Sequence, residues 1–507
     1  MDNQILKEKM EALGAMKIIE GDRLNNYNPA NASQKVSEHK ITSKSELDAM
    51  VKKSQEAFIK WSKTPAPKRA EYLQRAADIF LKRKEELSEA LHLENGKPMV
   101  EARGEIQEVI DTLQFFAGEG RRIYGMTGQS EMADKTILTI RQPLGPAVFI
   151  TAWNFPSAVP SWKAAPALIA GNTFILKPSE LAPVSGKLFV DVLNEAGLPD
   201  GVAQIAYGAG DVGDYLIKKE EVKIVSVTGS VSVGRYVAEV AAQNFKKCAL
   251  ELGGKNSTIV LKDADLDLVE EGLVWGAYGT GGQRCTSTSR LVIDKSISAE
   301  VISRIQKQAA KLYDKSAGKP HDNYAPIISA VQLKKIHGMV EEAIKEGAEL
   351  VCGGTILDDG GALGGIGPKK GYFYEPTILK VKPEHKIATT EVFGPVLSVI
   401  EVEGKSDEEI YEKAIAISNG VKYGLSNSIY TKNINLAMKA ANSFESGLVY
   451  LNAPTIGAEC GGASLFGGWK ETGNGSREGG VAALDTYTQY KTISIDYSGK
   501  LQRAQID

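Results

Sequence analysis

From Leu144 onward the chain repeats one theme, a short apolar run followed by a turn and an amphipathic stretch; the runs are "PAVFITAW", "NTFILKP", "VAQIAYG", "KIVSVTG", "CALELGG" and "STIVL". Strands that alternate with helices run parallel, because each helix carries the chain back to the start of the sheet. Their apolar content demands cover on both faces. A second series, "RLVIDKS", "AELVCGG", "TILKVK", "VLSVIEVE", "SNSIYTK" and "GLVYLNA", follows Cys285. The 507 residues exceed what one hydrophobic core organises. The pattern therefore predicts an α/β protein with two large sheet-based units and a junction at 252–255.

Ahead of that series, the first 120 residues read mainly as helices. "SELDAMVKKSQEAFIKW" and "KRAEYLQRAADIFLKRKEELSEALHLENGK" place apolar residues three and four apart, and the second stops at Asn95-Gly96. Two segments break the rhythm, "KTILTIRQ" (135–142) and "YKTISIDYS" (490–498), both alternating like half-exposed strands. Such strands either pair with another subunit or serve as plain sheet edges.

A net charge of −3 gives no broad electrostatic reason to expect nucleic acid or an anionic membrane as partner. The N-terminal stretch "MDNQILKEKMEALGAMKIIEG" lacks the unbroken apolar segment of a secretory signal. The longest uncharged run, 142–162, contains Pro143, Pro146, Pro156 and Pro160, so no membrane-spanning helix is expected. Four cysteines without a CxxC pair support neither a zinc site nor a disulfide framework, and suit a reducing cytoplasm. Five scattered histidines form no ligand cluster, so no metal is expected.

Against that background Cys285 stands out. It lies in "YGTGGQRCTSTSR" among small and polar residues and beside Arg284, whereas a structural cysteine usually sits in an apolar run. A neighbouring cation and backbone donors lower a thiol pKa, so the local sequence favours a nucleophile over a filler. In "CALELGGKNS", Glu251 ends a short apolar strand, where desolvation turns a carboxylate into a usable base; an exposed strand-end residue is the alternative. In "ITAWNFPSAVPSWK", Asn154 occupies a turn between strand and helix and can donate its amide to an oxyanion. Asparagine also suits turns for purely local reasons.

Other segments point to a nucleotide. "NTFILKPSE" ends a strand with Lys177 and Glu180, placed to reach ribose hydroxyls or simply to face solvent. "GAGDVG" (208–213) fits GxGxxG, but no acidic residue closes a second strand about twenty residues on, so Gly210 marks at most a turn near a cofactor. "VTGSVSVG" (227–234) is the better phosphate site. Gly229 and Ser230 there end a strand and open a helix whose N–H groups and dipole attract an anion.

In order and spacing, "WNFP", "LKPSE", "TGS", "LELGGKN", "GQRC" and "EVFGPV" resemble the motifs of the aldehyde dehydrogenase superfamily, and the likeness covers nearly the whole chain. The resemblance implies a Rossmann-type cofactor domain at 1–121 and 142–252, an α/β catalytic domain at 253–468, and a small β oligomerisation element at 122–141 and 484–500. It implies that Cys285 attacks the aldehyde carbon, that Asn154 and the Cys285 N–H hold the thiohemiacetal oxyanion, and that hydride passes to a nicotinamide. Glu251 then activates the water that hydrolyses the thioester, with Lys163 and Glu478 in a proton relay. Cofactor contacts fall to Ile150, Thr151, Trp153, Lys177, Ser179, Glu180, Gly210, Gly229, Ser230, Gly234, Leu252, Glu391 and Phe393. The Glu180 carboxylate repels a 2′-phosphate, which leans towards NAD and leaves NADP open. The family implies an assembly of identical chains, dimer or tetramer.

The implied substrate tunnel is walled by Phe155, Val159, Trp162 and Phe466. "FFAGEGRRIYG", "GQRCTSTSR" and "GSREGGVAALDTYTQYKT" are most similar to dehydrogenases of α-ketoglutaric semialdehyde (2,5-dioxovalerate), which implies oxidation of 2,5-dioxopentanoate to 2-oxoglutarate. Glyceraldehyde, succinic or aminoadipic semialdehyde and simple aliphatic aldehydes are the alternatives. Arg284 and Arg103 are the candidate anchors for a substrate carboxylate, Arg284 being equally able to shape the thiol loop. The loop "TIGAECGGASLFGG" places 457–462 beside the substrate tail. Intact Cys285, Glu251 and Asn154 argue against a non-catalytic relative, and Glu251 argues against an enzyme that passes its acyl group to coenzyme A.

Overall fold

The computed structural model describes residues 18–314, 319–320, 323–357, 371–457 and 461–503. Two sheets organise it. The first has the order Gly473–Asn474, Lys247–Glu251, Ile224–Thr228, Ala147–Ile150, Phe174–Lys177, Ala203–Ile205. Its strands run parallel except Gly473–Asn474, which returns from the far end of the chain. The chain starts at Ala147–Ile150, winds outward to Ala203–Ile205, then crosses back to Ile224–Thr228. The crevice beyond the carboxyl ends at such a reversal is where open α/β sheets bind ligands.

Strand periodicity explains why this sheet is buried on both faces. Val148, Ile175 and Val225 point into a core with Leu47, Val51, Leu216 and Val237, while Phe149, Phe174 and Ile224 point into another with Ile106, Val109, Leu113 and Leu168. The second sheet, Glu349–Cys352, Thr377–Lys380, Val396–Val402, Arg290–Asp294, Ser257–Val260, Ser426–Tyr430, Leu448–Leu451, is parallel apart from its Glu349–Cys352 edge. Every apolar run quoted above is represented in one of the two sheets.

The first 120 residues depart from expectation. Ile19–Glu20, Arg23–Asn28 and Asn31–Lys40 form an antiparallel sheet rather than helix. Asn31–Lys40, "NASQKVSEHK", is largely exposed and polar on both faces, so it carries no two-residue apolar signal. The long helix expected to end at Gly96 is two helices, Ala66–Lys82 and Lys84–Asn95, separated where Arg83 leaves helical geometry (φ −101°, ψ 17°). Gly96, at φ 78°, stops the second helix as expected. Lys135–Pro143 and Thr488–Asp496 pair with each other along their whole length, with Thr127–Gln129 outside them. Among the described residues, no helix is long and apolar enough to cross a membrane, and no group of three or more His, Cys, Asp or Glu side chains is placed to hold a metal ion.

Candidate active site

A cavity of about 450 Å³ opens beyond the carboxyl ends of the first sheet. Cys285, Asn154, Glu251 and Arg284 line it together. So do Thr228, Gly229, Ser230, Leu252, Glu391 and Phe393, and the apolar side chains of Phe155, Val159, Trp162 and Phe466.

The loop that carries the thiol is tightly specified. After helix Leu266–Tyr278, Thr280, Gly281 and Gly282 take left-handed conformations in succession (φ 53°, 62° and 67°). Gly282 needs its missing side chain, since a Cβ there would lie 2.3 Å from the Gly394 carbonyl oxygen. The Asn256 amide donates to the carbonyls of Cys285 (2.7 Å) and Ser287 (2.9 Å), which fixes the loop from below. Burial pushes the Cys285 thiol up to about 12, helped by the carboxyls of Glu391 and Glu251; the N–H groups of Thr286 and Cys285 pull the other way. The lowered thiol pKa expected from Arg284 is therefore not found. Arg284 turns aside, donating from Nη2 to Glu101 (2.9 Å) and from Nε to Thr280 Oγ1 (2.8 Å), and lies over the Trp275 ring at 4.7 Å.

Glu251 closes strand Lys247–Glu251 and is buried, with Oε2 lacking any hydrogen-bond partner. Burial, then repulsion from Glu478, holds its carboxyl well above the usual range, against the opposing charges of Lys163 and Arg477. Lys163 is fully buried and donates to Glu478 Oε1 (2.5 Å) and Ser226 Oγ (2.9 Å). The C-terminal segment completes this corner. Gly473–Asn474 pairs with Leu250–Glu251, the Leu252 N–H donates to the Thr472 carbonyl (2.6 Å), and Phe466 and Glu478 exchange backbone hydrogen bonds (2.8 and 2.7 Å).

On the opposite side of the cavity, Ser230 caps helix Val231–Gln243, its Oγ accepting from the Val233 N–H. Gly234 lets that helix approach Leu252 so closely that a Cβ would lie 2.6 Å from a Leu252 methyl. Glu391 Oε1 accepts from the Gly254 N–H (2.8 Å), and burial raises its pKa to about 7. Phe393 has φ 58° and meets the Trp153 ring edge-on at 5.3 Å; Gln332 holds it by donating to the carbonyls of Val392 (3.2 Å) and Phe393 (3.0 Å).

Several expected contacts sit away from this cavity's lining. Lys177 and Glu180 pair with each other at 3.4 Å, Ser179 Oγ accepts from the Leu181 N–H, and Ile150 packs beneath Gly213. Thr151 donates its N–H to the Lys177 carbonyl (3.3 Å), and Gly210 opens helix Gly210–Ile217 with free space beside it. Arg103 is a correction. It is exposed and bound to Glu85 through both Nε and Nη2, and it does not line the cavity. Glu108, five residues on and so about 140° around the same helix, lines the cavity instead. Sequence reasoning also passed over Trp275, Gln332, Lys335 and Ile456. A signal existed for the Met99–Glu119 helix, where Glu105 falls on the apolar stripe of Ala102, Ile106 and Val109; none existed for Gln332 or Lys335. Of the 457–462 loop, Gly457 lines the cavity, while 458–460 lie outside the described residues.

Known proteins resemble the chain over nearly its whole length. The model of the aldehyde dehydrogenase family matches residues 18–493. An alpha-ketoglutaric semialdehyde dehydrogenase of Bacillus subtilis is 36% identical over 477 residues, covering 94% of this chain and 95% of the relative. The crystal structure of an NADP-dependent enzyme of E. coli superposes with a TM-score of 0.86 at 31% identity, covering 94% of this chain and 95% of that one. PnpE in complex with nicotinamide adenine dinucleotide gives 0.88 at 29%, covering 95% and 96%. With a family match across residues 18–493 and a relative 36% identical over nearly the whole chain, the chain belongs to the aldehyde dehydrogenase family.

Proposed function

We propose that the protein oxidises an acidic semialdehyde to the corresponding acid with NAD or NADP as hydride acceptor, 2,5-dioxopentanoate to 2-oxoglutarate being the first candidate. One observation carries this reading: a thiol, an amide and a buried carboxyl line the same cavity as a helix N-terminus suited to a pyrophosphate. The residues fit a dinucleotide. Gly229 and Ser230 present the start of Val231–Gln243, Glu391 offers a carboxyl for a ribose, and the buried Thr228 Oγ1 lacks a partner. Bound there, the nicotinamide supplies an electrophilic carbon for hydride.

In this reading Cys285 Sγ gives up its proton to solvent and bonds to the aldehyde carbon, turning the carbonyl oxygen into an oxyanion. The Asn154 amide and the Cys285 N–H hold that charge. Loss of hydride from the same carbon leaves a thioester. Glu251, ionised, takes a proton from water whose oxygen attacks the acyl carbon; the C–S bond then breaks and the leaving sulfur takes that proton from Glu251, which releases the acid and restores both the thiol and the ionised base. A raised pKa makes Glu251 a strong base once ionised, and Lys163 with Glu478 sets that balance. Arg284 spends Nε and Nη2 on Thr280 and Glu101, and no hydrogen bond among the described residues uses Nη1, which is left for a substrate oxygen. The name of the Bacillus relative supports an acidic tail.

The reading extends to organisation. The cofactor domain comprises 1–121 and 142–252, the catalytic domain 253–468, and the oligomerisation element 122–141 and 484–500. Tyr490, Ile495 and Tyr497 are exposed on or beside that last element, which suits contact with a second copy of the chain in a dimer or tetramer. Free Cys248, Cys285 and Cys352 suit a reducing cytoplasm. The test is a panel of acidic and neutral aldehydes assayed with each cofactor. An NADH or NADPH burst lost in Cys285→Ala, with preference for the acidic aldehydes, agrees; product formation that requires coenzyme A refutes the hydrolytic step.

A further inference from the structure

The first turn of helix Met99–Glu119 reaches two parts of the site at once. Glu101 accepts from the Thr280 N–H (3.1 Å), the Thr280 hydroxyl and Arg284 Nη2 (2.9 Å), so it holds the loop that carries Cys285. One turn later Glu105 Oε1 accepts from the N–H groups of Ser157 (2.8 Å) and Ala158 (3.1 Å), at the start of the helix that follows Asn154. The second oxygen of Glu105 takes the Lys97 ammonium at 2.5 Å. That ammonium sits 3.4 Å from the centre of the Phe155 ring. Upstream, Asn95 donates to the Trp153 carbonyl (2.7 Å). Asn154 is thus bracketed on both sides by groups from one stretch of chain, and that same stretch grips the nucleophile loop.

We infer that Glu101 and Glu105 are positioning residues that fix the separation between Asn154 and Cys285, the two donors of the oxyanion hole. The inference rests on the oxyanion role proposed above. Residues at i and i+4 lie on one face of a helix, and a helix is stiff over one turn, so the pair acts as a rigid spacer between two otherwise separate loops. Lys97 and Glu105 are almost wholly buried. A buried pair of this kind contributes little net stability beside an apolar substitute, and directional hold on a site is one use for it. Donors that stabilise an oxyanion work only within a few tenths of an ångström of the required geometry, so a loosened spacer acts on the hydride-forming stage rather than on cofactor affinity.

The test is a double-mutant cycle read by pre-steady-state NADH formation with propanal. Glu101→Ala and Glu105→Ala are each expected to slow the burst about tenfold in the wild-type background, with NAD affinity unchanged within twofold and most of the loss restored by the Gln variants, which keep an acceptor oxygen. In an Asn154→Ala background the same substitutions are expected to cost less than twofold, because the separation they fix no longer matters once one of the two donors is gone. Equal losses in both backgrounds overturn the spacer role. An undiminished burst in Asn154→Ala itself overturns the oxyanion reading beneath it, and the two failures are told apart by that single variant. Should Glu105→Ala not fold, Glu101→Ala carries the same cycle, since its partner Arg284 lines the cavity rather than the deep core.

Discussion

A thiol that is mostly protonated at rest makes a measurable claim. Burial raises the Cys285 pKa from 9.0 to about 12, with Glu391 and Glu251 adding to the shift. At pH 7.5 the thiolate fraction falls from about 3% at the ordinary value to about 0.003%, a roughly thousandfold deficit. Cys285 faces a cavity that admits water, and screening trims this, so the deficit to be read lies between about tenfold and a thousandfold. The assay is carbamidomethylation of the cofactor-free enzyme by iodoacetamide, followed at the Cys285 peptide by mass between pH 7 and 10. The rate is expected to climb with pH across the whole range without a plateau. Removing a neighbouring negative charge favours the thiolate, so Glu391→Gln and Glu251→Gln should each raise the rate at pH 8.5, by roughly two- to tenfold. A plateau below pH 8.5, or no response to either substitution, refutes the electrostatic reasoning.

Other outcomes follow from the same geometry. Glu251→Gln should keep the first-turnover NADH burst while steady-state turnover falls about 10²- to 10⁴-fold, measured by stopped-flow against continuous assay; loss of the burst contradicts the base role. The acid limb of kcat should lie above the ordinary carboxylate range, since Glu251 must ionise to work. Lys163→Met, which removes a charge that lowers that pKa, should move the limb further up. Glu108 is raised to about 8 by burial and by Glu105 and Asp111, against Lys97 and Arg284, so it turns anionic as pH passes 8. The kcat/KM ratio of succinic semialdehyde to butanal should therefore fall above pH 8 in the wild type and stay flat in Glu108→Gln. Arg103→Ala, on the solvent side of its helix, should change KM for either aldehyde less than twofold.

What the sequence disclosed divides along physical lines. The paired sheets were legible because each strand must be apolar on both faces, and "AVFI" or "FILK" advertises that without help from neighbours. Cys285, Glu251 and Asn154 were legible because each is an odd residue for its setting. The Asn31–Lys40 strand hid because both its faces are polar and water-exposed. The thiol pKa stays high because adjacency in sequence says nothing of pairing: Arg284 is engaged by its own partners, Glu101 and Trp275, and burial decides the Cys285 pKa. Glu101 and Glu108 gain their meaning only from helix Met99–Glu119 packing against the Thr280 loop and the cavity, a fact of packing rather than of local pattern.

The antiparallel pairing of Gly473–Asn474 with Leu250–Glu251 joins residues about 220 positions apart in sequence. During synthesis the strand bearing Glu251 therefore waits, one edge open, until Asn474 has emerged. Glu478 and Phe466 arrive in that same late stretch. A ribosome-bound chain that ends short of these residues holds Cys285 but neither the strand partner of Glu251 nor the carboxyl that Lys163 bonds.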